Sequence, residues 1–329
     1  MFNSDNVAPK QEEEMPAKTR APRNRTLTLT SQELRALQES AVKAPSKSLS
    51  LAEIRNNIFR GDLFRTLPHL PDRSIDLLFI DPPYNLTKNY GPLKFQSRPA
   101  EDYEAWFRSW FVPLLGKLKP RASVYVCCDW KTSVSVYKIL SEHLFVRNRI
   151  TWEREKGRGN ALNWKNSSED IWYATVSETD FTFNVDQVKL KKKVIAPYKE
   201  SGRPKDWHQE ENGNFRLTHP SNLWTDLSIP FWSMPENTDH PTQKPEKLLA
   251  KLILASSRPG DLVFDPFMGS GTTAVVAKKL ARDFSGVEIN PEYHAWAQKR
   301  LEKADSSSKI QGYSNGVFWE RNSSPELSD

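Results

Sequence analysis

Apolar residues in this chain fall into strand-length runs and helix-spaced stripes that alternate along two separated stretches. Ile75-Asp76-Leu77-Leu78-Phe79-Ile80 is a nearly continuous apolar run, the pattern of a parallel strand covered on both faces. Before it, Ile58-Phe59-Arg60 predicts a short strand ending at Gly61-Asp62, and Leu63 to Leu67 a helical turn. After it, residues 101–118 place Tyr103, Trp106, Phe107, Trp110, Leu114 and Leu115 at helical spacing. Pro120 follows, then a strand from Ser123 to Cys128, a helix from Ser133 to His143 and a strand around Arg149-Ile150-Thr151-Trp152. The same texture returns at Pro245: helix over 246–256, strand over 261–264, helix over 272–281, strand over 284–289, helix over 291–304. Strand and helix in alternation predict an α/β fold, a sheet with helices on both faces.

Between these stretches, over 153–239, the alternation breaks down into polar, aromatic and basic sequence. A structureless loop of that length does not suit a compact domain, so Ile171–Val176 and Phe181-Thr182-Phe183 are predicted as sheet and the remainder as a variable insertion. Residues 1–45 mix Pro, Lys, Arg, Glu and Ser with few large apolar side chains, the composition of a disordered, basic tail. Within it Thr30 and Glu33 have capping-box spacing and open a short helix through about Val42, to dock on the body or on a nucleic acid. Residues 305–329 are Ser-rich and predicted to fray, which leaves 46–304 as the folded domain. No internal repeat is visible.

Composition narrows the class. With 27% charged residues and a mean hydropathy of −0.66 the chain reads as soluble, and no apolar run approaches the roughly 18 residues of a membrane span. An N-terminus without an apolar signal core makes a cytoplasmic location the expectation. The net charge of +6 points to a polyanionic partner without defining it. The two cysteines, Cys127 and Cys128, are neighbours on a predicted strand and so face opposite ways; they form neither an ordinary disulfide nor a metal pair, and they read as core. No metal-ligand cluster is present.

Two constellations carry chemistry. Asp265-Pro266-Phe267-Met268-Gly269-Ser270-Gly271-Thr272 lies between a strand and a helix, where glycines admit close backbone approach and a helix start offers free N–H groups. Glu288 ends the next strand, where a carboxylate can accept hydrogen bonds from ribose hydroxyls. With Ala274 at the third glycine position, this site alone also fits NAD and a dehydrogenase. The second constellation, Asp81-Pro82-Pro83-Tyr84, follows the apolar run at the edge where open α/β sheets bind ligands. Asp81 offers carboxylate oxygens, Pro82 a carbonyl on a stiffened turn, and Tyr84 a flat ring, a set that suits an NH2 group on a planar heterocycle. Taken alone, the same four residues also fit a strand-ending turn with a solvated Asp and a packed Tyr.

Together these motifs resemble the DNA amino-methyltransferases. The catalytic motif precedes the cofactor motif, and His240-Pro241-Thr242-Gln243-Lys244-Pro245 stands just before the helix leading to the cofactor strand. This order is similar to the beta class, a circularly permuted arrangement, over residues 56–304; weaker matches are Gly61-Asp62 and the Ile150-Thr151-Trp152 strand with its downstream Glu169. The resemblance implies a Rossmann-like S-adenosylmethionine-dependent methyltransferase sheet with a target-recognition insertion. It implies S-adenosylmethionine as cofactor, held by Asp265, Phe267, Gly269, Ser270, Gly271 and Thr272, with Glu288 on its ribose and Asp62 near its adenine. Thr242 and Lys244 would hold the methionine carboxylate, and Asp81, Pro82, Pro83 and Tyr84 would act on the target amino group.

Double-stranded DNA is then the expected partner, with the nucleotide flipped out to reach the pocket. A cognate restriction endonuclease is a further expected partner, and the enzyme would be a monomer or a homodimer. Asp at the head of the tetrapeptide favours N6 of adenine, with N4 of cytosine as the alternative; a dehydrogenase or a silent DNA-binding protein stands further off. The insertion over 153–239 is the expected target-recognition region. There Arg154, Lys156, Arg158, Lys165 and Lys191 to Lys193 would meet phosphates and Asn160, Asn163 and Asn166 base edges, while Trp164 and Trp172 read as core.

Overall fold

The computed structural model describes residues 21–90, 93–154, 161–195, 198–211 and 213–321. Its helices are α1 (Ser31–Glu39), α2 (Leu51–Ile54), α3 (Leu63–Thr66), α4 (Ala100–Leu115), α5 (Ser133–His143), α6 (Glu246–Ser256), α7 (Thr272–Lys279) and α8 (Pro291–Ser306). The first strands are β1 (Asn57–Arg60), β2 (Ile75–Ile80), β3 (Lys88–Tyr90), β4 (Leu93–Phe95), β5 (Leu118–Cys128), β6 (Phe145–Glu153) and β7 (Ser168–Thr175). Within the predicted insertion lie β8 (Leu190–Lys193), β9 (Lys199–Glu200), β10 (Arg203–Pro204), β11 (His208–Glu210), β12 (Gly213–Thr218) and β13 (Leu223–Trp224). The chain then forms β14 (Leu262–Asp265), β15 (Asp283–Glu288), β16 (Tyr313–Ser314) and β17 (Val317–Trp319).

The apolar run Ile75–Ile80 lies inside an eight-stranded sheet of order β1-β15-β14-β2-β5-β7-β6-β13. From β1 to β5 the neighbours are parallel, and β7 runs antiparallel to both β5 and β6. Side-chain alternation splits the core into two layers. Leu77, Phe79 and Cys127 pack with α6, α7 and α8, whereas Leu78, Ile80 and Cys128 pack with α4 and α5. The cysteines are thus free, buried and on opposite faces, as neighbours on one strand must be. No helix among the described residues is long and apolar enough to cross a membrane.

Several expectations are corrected. Residues 21–45, read as a tail, follow the body instead: the Leu27 N–H donates to the Asn237 carbonyl, and Arg60 and Ala44 exchange backbone bonds across a short parallel bridge. The capping box forms, α1 stops at Glu39, and Glu33 pairs with Lys299 of α8 at 3.3 Å, so this helix docks on the body. At the other end β17 pairs with β8 in a second sheet, order β11-β12-β8-β17-β16, and buries Phe318 and Trp319. Lys247 of α6 clamps that strand by donating to the Trp319 carbonyl while paired with buried Asp226. Residues 181–183 are not a strand. Trp164, expected in the core, is 92% exposed, while Trp172 is partly buried with its indole N–H on the Ser133 carbonyl.

Candidate active site

Parallel strands point their C-terminal ends the same way, so the residues just past each strand gather on one edge. Here four adjacent strands each deliver a carboxylate to that edge. Asp62 lies just past β1, Glu288 ends β15, Asp265 ends β14 and Asp81 lies just past β2. All four line one cavity of about 410 Å³, together with Pro82, Pro83, Tyr84, Thr242, Lys244, Phe267, Gly269, Ser270 and Thr272.

On the β2 side, Asp81 Oδ1 accepts from the Tyr84 hydroxyl at 3.1 Å and Oδ2 from Lys244 Nζ at 2.7 Å. The Pro83 carbonyl accepts from the Tyr103 hydroxyl of α4, which fixes the turn. Glu169 of β7 completes the group: Oε2 lies 3.2 Å from the Tyr84 hydroxyl and 3.3 Å from Lys244 Nζ, and Oε1 accepts from Arg154 at 2.5 Å. Burial raises the Asp81 carboxyl above the usual range, with Lys244 opposing. Burial also works against the Lys244 charge, but Asp81 and Glu169 outweigh it and push the ammonium pKa up, so this lysine is charged.

On the β14 side, Asp265 is anchored by the Phe267 N–H and the Thr273 hydroxyl, and Glu288 by the N–H groups of Gly269 and Asn290. Burial lifts both carboxyls to about 7. Gly269 has φ +56° and lies against the His240 ring, where an added Cβ would sit 3.1 Å from Nε2. Burial pushes His240 down to about 3, so the ring is neutral; Nδ1 accepts the Thr242 N–H, which leaves the proton on Nε2. Phe267 packs edge-on against Trp110 at 5.0 Å and closes one wall.

Most of the sequence-predicted site residues are therefore brought together, with three differences. Gly271 does not line the cavity: an added Cβ would lie 2.6 Å from that of Ala297, so this glycine lets α8 approach the loop. Lys244, expected on the methionine carboxylate, points instead at Asp81. Arg154, expected on a phosphate, is bound to Glu169, and Lys191 pairs with Glu210 at 2.6 Å beneath the Trp319 ring. Lys156, Arg158 and Asn160 lie outside the described residues. Sequence reasoning missed the parts of Glu169, Arg154 and His240 in the cavity wall. The signal for Glu169 was its place on the inward face of a strand whose alternate residues, Ile171 and Tyr173, are core. Among the described residues no group of side chains is arranged to hold a metal.

This chain matches the family model described as DNA methylase over residues 75–299. It is 35% identical over 244 residues to the Type II methyltransferase M.HpaI of Haemophilus parainfluenzae, covering 74% of this chain and 73% of that one. It is 33% identical over 261 residues to the DNA adenine methyltransferase YhdJ of Escherichia coli (strain K12), covering 75% and 83%. Among solved structures, the PvuII DNA methyltransferase (cytosine-N4-specific) aligns with a TM-score of 0.55 at 21% identity, covering 80% of this chain and 93% of that one, a likeness of fold. The chain belongs to the DNA methylase family, whose methyl donor is S-adenosylmethionine and whose substrate is DNA. That membership removes the dehydrogenase alternative.

Proposed function

We propose that this protein is a site-specific methyltransferase acting on N6 of adenine in a flipped-out nucleotide of double-stranded DNA. The observation that carries the proposal is the convergence of Asp81, Asp265 and Glu288 on one cavity. The cavity's chemistry fits the cofactor. Glu288 and Asp265 each spend one acceptor site per oxygen on protein donors, and a carboxylate has about four such sites. Glu288 is thus left with capacity for ribose hydroxyls, with Asp62 nearer an adenine ring and Phe267, Gly269, Ser270 and Thr272 forming the wall. Bound S-adenosylmethionine supplies a methyl group on a cationic sulfur. The protein's own part is positioning, since the donor is already activated.

Asp81 and the Pro82 carbonyl accept the two N–H groups of the target amine, which favours a pyramidal nitrogen with a localised lone pair. The Tyr84 ring stacks on the extruded base, and Asp81 takes the proton the nitrogen sheds. Relatedness to an enzyme named for adenine, together with Asp at the head of the tetrapeptide, supports adenine over cytosine. We assign target recognition to the region 153–239. We also infer a restriction–modification role, with a cognate endonuclease as partner, from the Type II relative. Digestion of DNA methylated by the pure protein, followed by mass analysis of the nucleosides, tests the reading. N6-methyldeoxyadenosine is expected; N4-methyldeoxycytidine overturns the assignment to adenine, and no methylated nucleoside overturns the activity.

A further inference from the structure

Lys244 belongs to both halves of the cavity. Its backbone carbonyl accepts the Thr272 hydroxyl at the start of α7, so its main chain sits with the glycine loop. Its ammonium is spent on the other half, at 2.7 Å from Asp81 Oδ2, 3.3 Å from Glu169 Oε2 and 3.4 Å from the Tyr84 hydroxyl. A lysine has three N–H donors, and these three contacts use them all. This arrangement suits the protein without ligand and opposes the reaction. The target nitrogen becomes cationic as its bond to carbon forms, and a second cation on the oxygen that must hold it is repulsive.

We propose that Lys244 is a shared positioning residue: it masks Asp81 in the ligand-free protein and is drawn toward the carboxylate of the bound methyl donor, which uncovers Asp81 for the target amine. The inference rests on the reading of S-adenosylmethionine as cofactor. The residues around Lys244 permit such a shift. Its flexible four-carbon stem moves the ammonium without moving the backbone. Glu169 keeps Arg154 at 2.5 Å when the lysine leaves, so Asp81 alone loses its counter-ion. The neighbouring His240 is neutral and does not compete for a carboxylate. Cofactor and target amine are then coupled through one cation, and the coupling is reciprocal.

Calorimetric titration of the full chain without DNA tests this. The probes are S-adenosylhomocysteine and 5′-methylthioadenosine, which shares the nucleoside and thioether but lacks the amino-acid carboxylate. Asp81→Asn is expected to tighten S-adenosylhomocysteine roughly tenfold and to leave methylthioadenosine within about twofold, as for sites coupled by a single interaction. In a Lys244→Met background the gain from Asp81→Asn is expected to vanish, which separates release of the lysine from simple loss of a negative charge. Glu169→Gln, which removes the lysine's other carboxylate, is expected to act in the same direction as Asp81→Asn and supplies a second variant. An unchanged ratio of the two affinities, an equal gain for both ligands, or a gain that persists without Lys244 overturns the inference. Failure of the wild-type chain to bind either ligand would instead overturn the cofactor reading itself.

Discussion

Lys244 Nζ and Asp81 Oδ2 are 2.7 Å apart, with 7% and 19% of their side chains exposed. One residue comes from the end of an apolar strand and the other from the His240–Pro245 segment, so the pair closes the cavity only when the whole sheet is assembled. Removing one partner of a buried pair leaves the other charge stranded, at a loss of about 3–5 kcal/mol. Lys244→Met should therefore lower the melting temperature clearly, and adding Asp81→Asn should restore part of the loss. Thermal unfolding of the two single variants and the double variant measures this; additive losses would mean that the pair does not contribute as a unit.

Asp81→Ala is expected to abolish detectable methyl transfer while the cofactor still binds. Loss of a single positioned proton acceptor corresponds to roughly a 10²–10⁴-fold decrease. Incorporation of radiolabelled methyl groups into unmethylated genomic DNA reads the activity without knowledge of the recognition site. Substantial incorporation by this variant contradicts the role given to Asp81.

Cofactor affinity should depend on pH through Glu288 and Asp265. Burial raises both carboxyls to about 7, so below that pH the ligand-free cavity holds them largely protonated. Accepting ribose hydroxyls favours the ionised form of Glu288, so binding there expels a proton. Affinity is then highest above pH 7 and falls as pH falls, by at most about tenfold per pH unit for each linked proton. For folding the direction is opposite: a raised carboxyl stabilises the native state at low pH, and that contribution is lost as pH rises from the ordinary range through about 7. Titrations of the cofactor between pH 5.5 and 8.5, an experimental window of about three units around that value, should show Glu288→Gln binding weakly with a shallower slope. An identical slope would place the linkage elsewhere.

The central strands and their ends were legible because they obey local rules. β2, α5 and α6 have the bounds their apolar periodicity predicts, and an Asp or Glu directly after an apolar run must lie at the sheet edge. Glu169 was not legible as part of the site, because a carboxylate in an alternating strand reads as solvent-facing until Lys244 and Arg154 are folded against it. Val317-Phe318-Trp319 is too short a run among Ser, Asn and Gly to predict a strand. It acquires one by pairing with Leu190 and Lys191, far away in sequence. Residues 21–45 misled for the same reason, since Leu27 is buried by a distant loop rather than by its neighbours.

Gly271 offers a structural test that does not involve ligand. It has φ +83°, and an alanine Cβ would meet the Ala297 Cβ at 2.6 Å and the backbone of α8 at 2.8 Å. Left-handed backbone costs an L-residue roughly 1–2 kcal/mol and overpacking another 1–3. Gly271→Ala should lower the melting temperature by several degrees, and Gly271→Ala with Ala297→Gly should recover only the packing part. A melting temperature equal to wild type would refute the close approach of α8.

Trp164 is the strongest handle on the proposed recognition region. A tryptophan with 92% of its surface in water contributes little to folding, so Trp164→Ala should leave stability within about 0.5 kcal/mol. If the ring stacks on bases or packs into a groove of the bound DNA, its loss should weaken DNA binding by roughly 1–3 kcal/mol. Being uncharged, it should not alter the salt dependence. Neighbouring Lys165 provides the contrast, since replacing a phosphate-contacting lysine by alanine should reduce the salt slope by about one. Electrophoretic titrations of both variants at several salt concentrations distinguish the two behaviours. DNA affinity unchanged in both would remove this segment from the interface and move recognition to the second sheet.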